Sequence, residues 1–274
     1  MSERASHAHR AAEDTERNER RDEGSREEPM RQTDARLAAR LAAGAGDLLL
    51  ELRATAGLTG KELGARGDVE SNAYLIRELA AARPGDAVLS EESADSPARL
   101  SSRRVWIVDP LDGTREFAMP GRSDWAVHVA LWEAARGITA AAVAQPALDA
   151  VYASDTARAV RHDRARPVIV VSDSRPPVFA PAVAAAIGAE LRPMGSAGAK
   201  AMAVLRGDAD AYLHAGGQWE WDSAAPVGVA LAAGLSASRL DGSPLEYNQP
   251  HPYLPDLLIC LPELAQRLLA VVAR

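Results

Sequence analysis

The segment Asp109-Pro110-Leu111-Asp112-Gly113-Thr114 sets two carboxylates three residues apart at the end of the apolar run 105–108, then adds a glycine and a hydroxyl. Two acids this close repel each other unless a cation lies between them. Mg²⁺ prefers hard oxygen donors in octahedral geometry; Asp109 and Asp112 offer carboxylates and Leu111 a carbonyl. Gly113 leaves room for a phosphate against the backbone, and a helix starting there would point free N–H groups at it. Asp, Pro and Gly are also common turn formers, so the motif by itself leaves a plain strand-to-turn junction open as the lesser reading.

Two further acidic sites favour the metal reading. Leu89-Ser90-Glu91-Glu92-Ser93 again ends an apolar strand, and Glu220-Trp221-Asp222-Ser223 opens an Ala/Val-rich helix. Asp222 there reads as an N-cap, as a ligand through its other oxygen, or as both. Asp68 follows Gly67 just before a helix expected from about residue 70, and it too could be a cap.

The elements that must position these groups follow from periodicity and punctuation. Asp34 is a plausible cap for a helix carrying Leu37, Leu41, Leu48, Leu49 and Leu52, weakened at Gly44 and Gly46. A glycine-rich loop is expected over 57–67, and a helix with Leu75, Ile76 and Leu79 stops at Arg83-Pro84-Gly85-Asp86. Short strands are expected at 87–90, 105–108 and 126–132, a hairpin over 138–153, and a new strand at 168–171. Helices near 178–187, 197–205, 223–233 and 262–272 alternate with strands at 211–213 and 257–260. Mixed strands and helices imply a layered α+β or α/β domain. The expected division is a disordered tail, 1–33, rich in Glu, Arg, Asp, Ser and Ala, and a domain 34–274 with halves near 34–160 and 161–274. Met30 is an alternative start within that tail.

The 274 residues, 47% hydrophobic, can bury a sizeable core, and with only 4% aromatics it must be built from Ala, Val and Leu. A net charge of −7 argues against binding a nucleic-acid polymer, although a bound metal can reverse the local field for a small anion. The single cysteine, Cys260, lies in an apolar run and reads as a core thiol. No apolar run approaches the ~20 residues of a membrane span, and Arg20-Arg21 precedes acidic residues, not an apolar segment. A cytoplasmic protein without a membrane partner is the expectation.

Taken together, the three acidic sites resemble the inositol monophosphatase-like superfamily of Mg²⁺-dependent, lithium-sensitive phosphatases. Asp109 to Thr114 is similar to its first signature, Trp221-Asp222-Ser223-Ala224-Ala225 to its second, and Glu91 to its upstream glutamate, in the right order over residue 34 to the C-terminus. Arg115-Glu116-Phe117, Glu220 before Trp221-Asp222, and Asp241-Gly242-Ser243-Pro244-Leu245-Glu246-Tyr247-Asn248 look like its branch acting on 3′-phosphoadenosine 5′-phosphate, a branch tied to sulfate assimilation. Two departures stand out: the loop 58–68 lacks the usual Ser, Pro, Val and Thr, and Gly195-Ser196-Ala197-Gly198-Ala199-Lys200 is one residue longer than the usual substrate loop.

The resemblance implies an αβαβα sandwich (α+β, inositol monophosphatase/sugar phosphatase-like) with two or three Mg²⁺. Glu91, Asp109 and the Leu111 carbonyl would hold one ion, and Asp109, Asp112 and Asp222 a second. Asp68 and Thr114 would form the catalytic pair that orients the attacking water. Glu91, Leu111, Asp112, Gly113, Thr114, Gly195, Ser196, Lys200 and Asp222 would surround the phosphate substrate, an adenosine bisphosphate or its sulfated form. Lys200 reads either as a partner for the second phosphate or as a solvated lysine, Ser196 as a ribose contact or a cap, and Arg115 as a weaker substrate candidate. His128 and His214 read as core histidines, and Trp219 and Trp221 as packing. A homodimer is common in the superfamily. The same metal site could serve inositol monophosphate or fructose 1,6-bisphosphate, and a non-catalytic binding relative is the reading from another class.

Overall fold

The computed structural model describes residues 32–273; the expected tail lies outside them except for Gln32 and Thr33. Helices α1 (Asp34–Thr55) and α2 (Gly60–Ala82) precede strands β1 (Ala87–Ser90) and β2 (Arg104–Asp112), with a 3₁₀ turn between the strands. A one-turn helix α3 (Thr114–Ala118) leads to β3 (Ala126–Glu133), β4 (Gly137–Gln145) and β5 (Ala150–Ala153). The second half runs β6 (Val168–Ser172), α4 (Ala180–Ile187), β7 (Glu190–Met194), α5 (Ala197–Leu205), β8 (Ala211–Trp219), α6 (Glu220–Ala232), β9 (Ser236–Ser238), β10 (Tyr253–Cys260) and α7 (Pro262–Val272).

The strands form two five-stranded sheets, ordered β1-β2-β3-β4-β5 and β7-β6-β8-β10-β9. Helices α1 and α2 cover one face of the first sheet, α5 and α6 lie between the sheets, and α4 and α7 pack together beyond the second. This is the αβαβα layering expected. Strand β2 shows why it is stable. Trp106 and Val108 face the core under α1 and α2, Val105 and Ile107 face the core between the sheets, and all four are fully buried. Each contributes on the order of 1.5–3 kcal/mol through burial. Cys260 is likewise buried, and burial pushes its thiol up to about 12.

Two local expectations are corrected. The glycine-rich stretch is not a loop over its whole length: α2 begins at Gly60, ten residues before Glu70. Gly64 and Gly67 serve close packing, since a Cβ on Gly64 would meet Thr114 Cγ2 at 2.7 Å and one on Gly67 would meet Leu111 and Phe117 side chains at 2.9 Å. Asp34 is the first residue of α1, and its carboxylate is spent on Arg83 and Arg104, at 2.8 and 2.9 Å. Helix α1 passes unbroken through Gly44 and Gly46, where a Cβ would strike Tyr74 or Pro146. Strands β7 and β9 had no clear signal: β7 carries the pattern Glu-Leu-Arg-Pro-Met and β9 is three small residues.

Gly67→Leu is expected to destabilise the fold by about 1–3 kcal/mol through overpacking, whereas Gly85→Ala, where an added Cβ meets nothing within 4 Å, should stay within about 0.5 kcal/mol. Urea denaturation midpoints measure both.

Candidate active site

In a regular strand, residues three apart point to opposite faces. Asp109 and Asp112 nevertheless share one, because β2 carries an irregularity between them: Asp109 opposes His128 and Asp112 opposes Ala126 on β3. Three steps on one strand thus match two on the other, as in a β-bulge. Pro110 sits within this irregularity, where it has no N–H to withhold from the ladder, and its carbonyl accepts from Ser71 Oγ at 2.7 Å. Asp222, from the first turn of α6, completes a group of three carboxylates whose oxygens lie within 4.8 Å of one another. It is the third residue of that helix, and it still supports the helix start, accepting from the Trp219 backbone N–H at 2.6 Å.

The three carboxylates sit in different fields. Burial, then Glu91, Asp112 and Asp222, drive Asp109 well above the usual carboxylate range. Its Oδ1 accepts from the Leu111 N–H at 3.0 Å, but its buried Oδ2 has no donor among the described residues. Burial and Asp112 lift Asp222 to about 6. Glu91 keeps an exposed surface at the pocket edge, yet the surrounding protein desolvates its carboxyl. With repulsion from Asp222, Glu92 and Asp112, that pushes it to about 8. Burial would raise Asp112 too, but His128, Ser196 and Lys200 outweigh it and pull the group down to about 2.

Asp112 is the best satisfied of the group. It accepts from Ser196 Oγ at 2.5 Å, from the Gly198 N–H at 2.7 Å and from the Ala197 N–H at 3.1 Å, all at the start of α5. His128 Nε2 lies 3.2 Å from its Oδ2, while His128 Nδ1 lies 3.1 Å from the Trp221 carbonyl. The Trp221 carbonyl engages Nδ1, while Nε2 faces the Asp112 carboxylate at ion-pair distance without a hydrogen bond, so the surroundings favour the protonated ring. Burial opposes that charge, but Asp112 prevails and raises the His128 pKa. His128 is therefore more than a core histidine. The sequence signal for it was weak: only Gly198, where a Cβ would lie 2.1 Å from His128 Nε2, marks the close approach.

Asp68 lies inside α2, so it is not a cap. Thr114 Oγ1 is 3.1 Å from Asp68 Oδ1 and 3.2 Å from the Leu111 carbonyl. Burial and Glu92 raise Asp68 to about 6, partly offset by Thr114. Gly113 adopts φ 86°, a left-handed conformation in which a Cβ would crowd Ser196 at 3.1 Å. Gly195 donates to Asp124 at 2.7 Å, and a Cβ there would collide with Glu116. Ser196 caps α5, accepting from the Ala199 N–H at 2.9 Å, as well as serving Asp112.

Glu91, Asp109, Leu111, Asp112, Gly113, Thr114, Gly195, Ser196, Lys200 and Asp222 all line one pocket of about 670 Å³, and Asp68 reaches it through Thr114. A larger cavity of about 940 Å³ lies between β4 and α6, but the only acidic ligand group among the described residues belongs to the smaller pocket. Lys200 is not a solvated lysine. It is 4% exposed, donates to the Met194, Gly195 and Ser196 carbonyls, and sits 5.1 Å over the Tyr212 ring. Its charge holds the loop before α5. Arg115 is paired with Glu116 and Asp173. Trp221 packs as expected, stacked with Trp219 at 5.4 Å between ring centroids, but Trp219 is 40% exposed and faces the pocket together with Tyr253. The residues fit a hard divalent cation: oxygen donors converge, and Asp109 Oδ2 is buried without a hydrogen-bond donor among the described residues, with His128 Nδ1, turned to the Trp221 carbonyl, standing 3.9 Å away.

The profile described as "Inositol monophosphatase family" matches residues 28–273. A "3'-phosphoadenosine 5'-phosphate phosphatase" of Mycobacterium leprae is 55% identical over 253 residues, covering 88% of this chain and 93% of that protein. The "3'(2'),5'-bisphosphate nucleotidase CysQ" of Escherichia coli K12 is 31% identical over 203 residues, covering 68% and 80%. Among solved structures, Mycobacterium tuberculosis SuhB superposes with a TM-score of 0.67 at 25% identity, covering 87% of this chain and 94% of that one.

Asp109→Asn removes the repulsion that Glu91, Asp112 and Asp222 exert on a buried carboxylate, and with it the cost of keeping that group either charged or protonated. In EDTA, Asp109→Asn is expected to raise stability by about 1–2 kcal/mol, or roughly 2–4 °C in Tm, and to abolish the further rise that Mg²⁺ gives the unaltered protein. Thermal denaturation with and without Mg²⁺ checks both signs.

Proposed function

The chain belongs to the inositol monophosphatase family, and on that premise we propose that it is a Mg²⁺-dependent phosphomonoesterase that removes the 3′-phosphate of 3′-phosphoadenosine 5′-phosphate, releasing AMP and phosphate, and that also accepts the sulfated nucleotide. The observation that carries the reaction type is the buried group Asp109, Asp112 and Asp222 beside the Asp68–Thr114 pair. The substrate is supported by the name of the M. leprae relative and by the pocket itself. Trp219 and Tyr253 expose flat ring surface there, 40% and 44% open, suited to a nucleobase, which stacks on aromatic side chains.

Asp109, Asp112, Asp222, Glu91 and the Leu111 carbonyl would hold two or three Mg²⁺. When bound, Mg²⁺ supplies Lewis-acid charge and makes water more acidic near neutral pH. The chain's own groups do the orienting. Thr114 donates its hydroxyl proton to Asp68, which leaves an oxygen lone pair to accept from the attacking water. The Gly113 and Thr114 backbone would hold phosphate oxygens while the water attacks in line with the leaving 3′-oxygen. The loop at Gly195 and Ser196, held by Lys200, closes the wall beside the sugar. The remaining proposals from the resemblance are lithium sensitivity, a cytoplasmic role in sulfate assimilation and a homodimeric assembly. No helix among the described residues is long and apolar enough to cross a membrane.

Phosphate release from 3′-phosphoadenosine 5′-phosphate, inositol 1-phosphate and fructose 1,6-bisphosphate, each with Mg²⁺ and with added Li⁺, tests the reading. A lithium-inhibited preference for the nucleotide is expected; a preference for either sugar phosphate would overturn the substrate, and no release from any would overturn the activity. The pH profile carries a second expectation. Asp68 accepts from Thr114 most strongly as the carboxylate, the form that can also draw the hydroxyl proton toward it, and its pKa is raised to about 6. Turnover should therefore fall as pH drops below about 6, roughly tenfold per unit, and Asp68→Asn should lose that limb along with most activity.

A further inference from the structure

Three basic side chains line the pocket: Arg115, Arg175 and Lys200. A substrate with two phosphates needs positive charge away from the acidic group that takes the reacting one. Two of the three are already committed. Arg115 is neutralised by Glu116 and Asp173, and Lys200 is buried on three backbone carbonyls. Arg122, close by, is bound to Asp124 and Asp173.

Arg175 differs. Its side chain is exposed and, among the described residues, its guanidinium has neither a hydrogen bond nor an ion pair. Its charge is felt at Tyr212 and His214, two rings that line the pocket, so its field acts inward. The loop that carries it is held at its base, because the Arg175 N–H donates to Ser172 Oγ at 3.1 Å. Ser172 and Ser174, with hydroxyls 3.3 Å apart, face the same pocket. An unpaired guanidinium offers a planar fork that matches phosphate oxygens in pairs, and hydroxyls can complete the shell.

We propose that Arg175, assisted by Ser172 and Ser174, receives the second, non-reacting phosphate of a nucleoside bisphosphate and so makes the pocket prefer two-phosphate substrates over one-phosphate substrates. The assignment rests on the nucleotidase reading above. It also moves the second-phosphate role expected of Lys200 to a residue that no sequence signature marks.

The test is kcat/KM for adenosine 3′,5′-bisphosphate and adenosine 3′-monophosphate, each with Mg²⁺, in the unaltered protein, Arg175→Gln and Arg175→Lys. Arg175→Gln is expected to cut the preference for the bisphosphate by about tenfold or more, chiefly through KM, and Arg175→Lys to restore part of it. Using the ratio of two substrates in each variant cancels any change in the amount of folded enzyme. An unchanged ratio in Arg175→Gln overturns the role of Arg175 and leaves the nucleotidase reading standing. Failure of the unaltered protein to hydrolyse either nucleotide overturns both.

Discussion

Four carboxylates are drawn together in a partly dehydrated pocket, and their mutual repulsion is the constraint that the surrounding structure answers. Like charges this close raise one another's pKa and weaken the fold that holds them. The protein relieves only part of the strain. Asp112 is fully provided for by the amides at the start of α5, by Ser196 and by His128. Asp109 keeps one buried oxygen without a donor among the described residues, with His128 Nδ1 3.9 Å from it, and this is where the proposed cation would bind. That asymmetry gives the two acids of one short motif different duties: Asp112 ties the halves of the pocket together, and Asp109 keeps a ligand position available.

The layers explain how such a cluster can be held. Asp109 and Asp112 come from the first sheet, Asp222 from a helix between the sheets, and the amides that anchor Asp112 from the other helix of that central layer. The cluster is thus a joint between the two sheets, and small residues make the joint tight. Gly198 admits His128, Gly195 admits Glu116, and Gly64 admits Thr114, each where a side chain would collide. Helix α2 then brings Asp68 within 3.1 Å of Thr114 Oγ1.

Much of this was legible before any coordinates. The strand ending in Asp109-Pro110-Leu111-Asp112 and the helix start at Glu220-Trp221-Asp222 are strong signals in combination, because a turn or a cap explains each alone but not three acidic sites together. The three acidic segments also recur in a known order, which made the layered fold legible as a whole. What stayed hidden depends on approach between distant segments. Gly60 to Gly67 looks like a loop when propensity alone is weighed, whereas tertiary packing makes a helix of it. His128 sits in an alternating apolar strand and gives no hint that it faces Asp112, a residue sixteen positions earlier. Lys200 read equally as a phosphate partner or a solvated lysine, and no sequence pattern shows that the backbone carbonyls of Met194, Gly195 and Ser196 have already claimed it.

The central claim is that a divalent cation completes the cluster, and its binding can be watched without any substrate. Glu91 is held at about 8, so it would carry a proton near pH 7 in the absence of metal, and burial with the neighbouring carboxylates shifts Asp109 in the same direction. A cation must displace protons held in this way. Isothermal titration of Mg²⁺ into EDTA-stripped protein at pH 7, repeated in two buffers of different ionisation enthalpy, measures this. The account predicts saturable binding with net proton release, and saturable binding with no proton release, or no binding at all, would contradict it.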